Sequence, residues 1–137
     1  MRFEGRIWKD GRFWLAEVPL LDVLTQGRSQ KEAFEMIRDA IEALVDRKGF
    51  SVQVIHGKGN AFEISSKDVR ILVALMLKRQ REANGLSLSE VAKKLRQTSK
   101  TAYARYEQGK SLPSVEKLTD LLSAVAPGKD IVFGLSD

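Results

Sequence analysis

Residues 87–109 read SLSEVAKKLRQTSKTAYARYEQG, and this stretch describes two short helices joined by a turn. Ser87 followed three residues later by Glu90 forms a capping box: the serine oxygen takes one orphan N–H while the glutamate reaches back for another. Val91, Ala92 and Leu95 then fall on one face. The apolar pattern breaks over Arg96–Thr98, and Ser99 offers a second N-cap. In the helix that follows, Ala102, Tyr103 and Tyr106 again sit three or four apart and face a core, and Gly109 stops it as a C′ residue. The opposite face carries Lys100, Thr101, Ala104 and Arg105, side chains that are short or cationic and suited to approaching a nucleic-acid groove.

Several features together resemble the Cro and phage-repressor (XRE) type of helix-turn-helix: GLS at 85–87, EVAKKL at 90–95, RYEQGK at 105–110 and P-S-x-E-K-L at 113–118. Where that family usually carries a glycine in the turn, this chain has Arg96-Gln97-Thr98. The resemblance implies DNA binding, with Lys100 and Thr101 reading base edges and Arg105 reaching a guanine or a phosphate. Ala104 shares that face, and Ser87, Lys93 and Lys94 are candidate contacts to the DNA backbone. Repressors of this kind read half-sites about one helical turn, ~34 Å, apart, so at least a dimer is expected.

The charge distribution points the same way. The chain of 137 residues carries +5 overall. Residues 1–65 hold ten Lys+Arg against ten Asp+Glu, and residues 66–137 hold thirteen against eight, so the excess lies wholly in the half with the two-helix motif. Release of counterions from a phosphate backbone rewards such segregation. Hydrophobic content of 43% is ample for a folded core and excludes a disordered chain. The absence of cysteine excludes disulfides, thiolate metal sites and a cysteine nucleophile, and agrees with a cytoplasmic location. No apolar run reaches the roughly 20 residues a membrane span needs, and MRFEGRIWKD lacks the apolar centre of a signal peptide.

Upstream, Arg2–Lys9 alternates as a half-buried strand does, Asp10-Gly11 predicts a type I′ hairpin turn, and Phe13–Val18 returns until Pro19 closes the strand. Leu20–Thr25 supplies a third strand and Gln26-Gly27-Arg28 a turn. Ser29 with Glu32 opens a long helix whose stripe is Ala33, Phe34, Ile37, Ile41, Leu44 and Val45, stopped by Gly49. Phe50–Ile55 is a β-branched run expected to return beside the first strands. The predicted order is β-β-β-α-β, an α+β layer over residues 1–65. It is followed by an all-α domain over 66–137. Ser65 with Asp68 opens a helix over Val69–Asn84, apolar on more than one face and therefore offering surface to the N-terminal domain or to a second protomer. Ser114 caps a last helix striped by Val115, Leu118, Leu121, Leu122 and Val125, and Ile131-Val132-Phe133 is a candidate terminal strand.

The opening hairpin, the proline, T-Q-G at 25–27 and S-x-x-E-A at 29–33 resemble the HicB-type antitoxin family, whose N-terminal domain is a partial ribonuclease-H-like fold. That resemblance implies an N-terminal domain that binds and neutralises a small messenger-RNA-cleaving toxin of the HicA type, with the C-terminal domain repressing its own operon. Acidic side chains such as Glu17 and Asp22 are the candidates to meet a basic toxin. A transcription regulator without a toxin, whose N-terminal domain dimerises or senses a ligand, is the alternative. An unrecognised nuclease is a third reading, but catalysis of that kind needs clustered carboxylates on two metal ions, and no such cluster stands out in the sequence. Neither catalysis, nor a metal, nor a cofactor is expected. His56 ahead of Gly57-Lys58-Gly59-Asn60 reads as a surface residue at a turn, since no helix follows as a phosphate-cradling loop requires.

Overall fold

The computed structural model describes residues 1–96 and 100–137. The opening alternation produces two antiparallel strands, β1 (Phe3–Asp10) and β2 (Phe13–Val18), with Asp10 opposite Phe13. The turn residues are therefore Gly11-Arg12, one later than expected. Gly11 takes φ +61° and Arg12 is not left-handed, the sign pattern of a II′ rather than an I′ turn.

Pro19 does more than end β2. Its fixed φ starts a 3-10 turn, Pro19–Leu21, that buries Leu21, and only then does β3 (Val23–Gly27) begin. The expected strand over Leu20–Thr25 is thus displaced by three residues, and Gln26 and Gly27 belong to it instead of to a turn. Helix α1 (Gln30–Val45) starts as predicted, with Ser29 accepting from the Glu32 N–H at 3.1 Å. It ends before Gly49, because Asp46 adopts the left-handed conformation (φ +48°) and closes the last turn. Ala33, Phe34, Ile37 and Ile41 are buried, whereas Leu44 lies on the exposed side of the terminal turn.

The largest correction is a second hairpin. β4 (Gln53–His56) and β5 (Ala61–Ser65) pair with each other, and β5, not the β-branched run, lies beside β1. The five strands are all antiparallel in the order β3-β2-β1-β5-β4, and the N-terminal order is β-β-β-α-β-β. Phe62 and Ile64 point to the α1 side, where Phe62 meets Phe34 edge-on with ring centroids 5.3 Å apart. His56 closes β4 and lies against the same Phe34 ring at 4.3 Å.

Four helices follow: α2 (Val69–Ala83), α3 (Leu88–Lys94), α4 (Lys100–Glu107) and α5 (Val115–Val125). The cap of α2 is Asp68, which accepts from Ile71 N–H, while Ser65 is the last residue of β5. Every residue from Ile71 to Leu77 is buried, so the surplus apolar surface of α2 is consumed inside the chain. One hydrophobic cluster runs without a break from Phe3 to Ala126. Polar contacts reinforce the junction. Arg79 donates to the carbonyls of Leu21 (3.0 Å) and Asp22 (2.6 Å), and Gln80 to those of Leu20 (2.9 Å) and Pro19 (3.3 Å), so the 3-10 turn is clamped onto α2.

Ser114 caps α5 as expected, but Val115 is 65% exposed and the buried stripe is Leu118, Leu121, Ala124 and Val125, with Leu122 half-buried. Ile131–Phe133 is not a strand. Ile131 packs on the core while Val132 and Phe133 remain exposed. The chain end returns to the sheet, where Arg2 donates to the Asp137 carbonyl and Ser136 to the Glu63 carboxylate. Ser136, and after it Arg2, which donates to the same carboxylate at 2.9 Å, hold the Glu63 carboxyl below its ordinary range. Among the described residues no helix is long and apolar enough to cross a membrane.

Candidate nucleic-acid interface

The capping box at Ser87 is complete. The serine oxygen accepts from Glu90 N–H at 3.0 Å and the Glu90 carboxylate accepts from Ser87 N–H at 3.2 Å, so this hydroxyl's first task is to start α3. Val91 and Ala92 turn inward, Leu95 is half-buried, and Lys93 and Lys94 are exposed in the last turn. Arg96 then takes φ +56°, and its N–H bonds the Lys93 carbonyl. This left-handed step is where a glycine is ordinarily found at a helix end. The expected Ser99 cap and the Gln97-Thr98 turn lie outside the described residues.

Helix α4 exposes Lys100, Thr101 and Arg105, with Ala104 half-buried beside them. Four of the seven DNA-contact candidates, Lys100, Thr101, Ala104 and Arg105, thus share one short helix; Lys93 and Lys94 flank it from α3. Ala102 is exposed, contrary to its assignment to the inner face, and Tyr106 is half-buried. That leaves Tyr103 as the one fully buried hydrophobic side chain of α4, with 0% exposure.

What seats so short a helix is polar. Glu107 Oε1 accepts from Tyr103 Oη and from Arg81 Nε, both at 2.6 Å, and Oε2 accepts from Arg81 Nη2 at 3.1 Å. Arg81 Nη1 also donates to the Leu86 carbonyl at 2.9 Å, one residue before the α3 cap. The Arg81 and Glu107 side chains are only 14% and 8% exposed. In such surroundings a bidentate arginine–carboxylate pair fixes orientation as well as charge. The hydrogen bond to Glu107 holds the Arg81 guanidinium above its ordinary value. Burial, and then the bond to Glu107, pushes the Tyr103 phenol well above its own. Asn84 ties the end of α2 to the last carbonyl of α5, Val125, at 3.0 Å.

The far end of α4 closes on Gly109 (φ +69°). Gly109 N–H bonds the Tyr106 carbonyl and Lys110 N–H that of Arg105, the paired bonds of a Schellman motif. A Cβ at Gly109 would stand 2.6 Å from Ile71 Cδ1, which would have to give way, and the left-handed backbone there favours glycine in any case.

Residues 77–125, from within α2 to the end of α5, match the helix-turn-helix family model. The C-terminal half carries an XRE-type helix-turn-helix. Comparison with curated proteins finds no match for the chain. The helix-turn-helix indicates a DNA-binding regulator.

Two residues that seat α4 were not singled out from the sequence. Arg81 and Glu107 lie 26 positions apart, and each reads alone as a surface charge. The one local signal is the Tyr103–Glu107 spacing of four, which puts both on the inner side of the helix. In the N-terminal layer the candidates Glu17 and Asp22 occupy different settings. Glu17 is half-buried on the sheet face opposite α1, 3.9 Å from Arg6, and Asp22 follows the 3-10 turn with its carboxylate 3.7 Å from Arg79. Among the described residues no three acidic or histidine side chains converge as a metal site would require.

Proposed function

We propose that the protein is a HicB-type antitoxin of a type II toxin–antitoxin system. Its N-terminal layer, a partial ribonuclease-H-like domain in this reading, binds and neutralises a small basic HicA-type toxin that cleaves messenger RNA. The helix-turn-helix, acting as at least a dimer in the cytoplasm, represses the operon. The protein works by binding and has no catalytic activity of its own.

The observation that carries this reading is the outer face of the sheet, which the chain end touches at Glu63. Alternation and register put Glu4, Arg6, Trp8, Leu15, Glu17, Leu24 and Glu63 on the side away from α1. Glu4, Glu17 and Glu63 are interspersed there with Trp8, Leu15 and Leu24, and Leu24 is 61% exposed. Exposed apolar side chains among polar ones suit a protein-binding surface, and the acidic members complement a basic partner.

The full chain tests this best, because its core is continuous between the two halves. The neighbouring open reading frame should encode a short basic protein that cleaves RNA, and stoichiometric addition of the full chain should stop that cleavage. Glu17→Arg should weaken the inhibition while leaving operator binding intact. Undiminished cleavage in the presence of the full chain, or magnesium-dependent RNA cleavage by the full chain itself, would reject the antitoxin reading.

A further inference from the structure

We propose that the turn between α1 and β4, Asp46–Gly49, belongs to the DNA-binding surface and that Lys48 at its tip contacts a backbone phosphate beside the recognition helix. By sequence this turn lies in the half whose charges cancel. By position it lies against α4: Arg47 Nη2 donates to the carbonyl of Gln108, the residue that follows α4, and Arg47 Nη1 is 3.6 Å from where a Cβ on Gly109 would be.

The turn is built to hold that place. Asp46 (φ +48°) and Gly49 (φ +83°) both take left-handed backbone, and Phe50 N–H bonds the Arg47 carbonyl at 3.2 Å, so Arg47-Lys48-Gly49 is fixed between α1 and the core-packed Phe50. Arg47 also places its charge at the negative end of the α4 dipole, a favourable site for a cation. Lys48 is exposed and its ammonium has no ion-pair partner among the described residues. Arg105 and Lys110, also exposed, stand at the same end of α4; the one carboxylate within the turn is Asp46.

A helix lying in a major groove about 12 Å wide has phosphates along both flanks. In this proposal the cationic turn, bonded through Arg47 to the residue that follows that helix, meets one of them. The N-terminal layer thereby adds to DNA affinity without adding sequence preference, because a phosphate contact reads no base.

The inference rests on DNA binding by the helix-turn-helix, and the test separates the two. Operator and random-sequence DNA are titrated against the full-length protein over a series of salt concentrations. Lys48→Ala should weaken both DNAs alike, by about 5–10-fold near 0.1 M salt, and make the slope of log affinity on log salt shallower by about 0.9, with the melting temperature unchanged. Lys48→Glu should weaken both further. Lys129→Ala, at the other end of the last helix, controls for net charge. Lys100→Ala should instead relax the preference between the two DNAs, and its failure to do so would count against α4 as the reading helix. Unchanged affinity and slope in folded Lys48→Ala and Lys48→Glu would overturn the proposal. So would a loss no larger than that in Lys129→Ala.

Discussion

Helices α1 and α4 are positioned by opposite means. The sixteen residues of α1 lay Ala33, Phe34, Ile37 and Ile41 on the sheet, and its location follows chiefly from apolar area, with Glu42 accepting from Val52 N–H at 3.0 Å. The eight residues of α4 bury one hydrophobic side chain fully, Tyr103, and their location depends on Glu107 meeting Arg81 and the tyrosine hydroxyl. Apolar burial is nondirectional and shared over many contacts, so it tolerates the loss of one. A bidentate ion pair is directional and concentrated in two residues, so it specifies one orientation and fails as a unit. The candidate DNA-contact side chains Lys100, Thr101 and Arg105 are thus carried by an element with narrow apolar support.

The sharpest way to break this contrast is to delete one anchor from each helix. Glu107→Ala leaves the Arg81 guanidinium buried and unpaired and should cost about 3–5 kcal/mol. Ile37, with 0% exposure, should cost a similar 2–5 kcal/mol on truncation to alanine, through the cavity it leaves. Their effects on DNA binding should differ. Under conditions where both variants are folded, by circular dichroism, Ile37→Ala should keep operator preference, whereas Glu107→Ala should lose it together with affinity. Equal operator binding by the two variants would show that α4 does not need its ion pair to be placed.

A milder perturbation of the same network comes from pH. The folded-state pKa of Tyr103 is raised above its ordinary value near 10, chiefly by burial and then by the bond to Glu107. A raised folded pKa means that the unfolded chain releases the proton first. The protonated tyrosine therefore contributes its full stability below about pH 10, and that contribution shrinks as pH rises further, by about 1.4 kcal/mol per unit from this group. Denaturant titrations from pH 9 to 11 should show a steeper decline for the native protein than for Tyr103→Phe. Parallel curves would mean that this hydroxyl is not held protonated by the fold.

How legible these features were depended on range. The caps at Ser29, Ser87 and Ser114 bond a group three residues away, and all three form where their spacing put them. The N-cap of α2 moved from Ser65 to Asp68, because Ser65 is needed by a strand whose partner is remote. That strand, Ala61–Ser65, went unread. Five residues with two inward apolar side chains carry little periodic signal, and their place beside β1 is set by pairing across nearly sixty positions. The run Ile71–Leu77 announced burial but not against what, since apolar surface does not name its partner. The helix-turn-helix was the most readable part, being built from local caps and spacings, while its Arg81–Glu107 lock depends on a contact no local pattern encodes. For Glu17 and Asp22, Arg6 and Arg79 are partners that only the folded chain brings together.

The smallest expected effect lies at the end of α3, where the scaffold carries strain of its own. Arg96 sits at φ +56°, in a region that costs a residue with a Cβ about 1–2 kcal/mol. Glycine relieves that cost but gives back part of it, because a glycine also frees the unfolded chain. Arg96→Gly should therefore stabilise by about 0.5–1 kcal/mol, a rise of roughly 2–6 °C in Tm. Arg96→Ala separates backbone from charge: it removes the same guanidinium but keeps the Cβ, and should gain nothing. The comparison also bears on DNA, since Arg96 is exposed two residues beyond Lys94. If its cation neutralises a phosphate, both variants should lose the same increment of salt slope while only the glycine variant melts higher. Identical melting temperatures for Arg96→Gly and Arg96→Ala would mean that the left-handed step is not strained, and that the scaffold holding the recognition helix is already relaxed there.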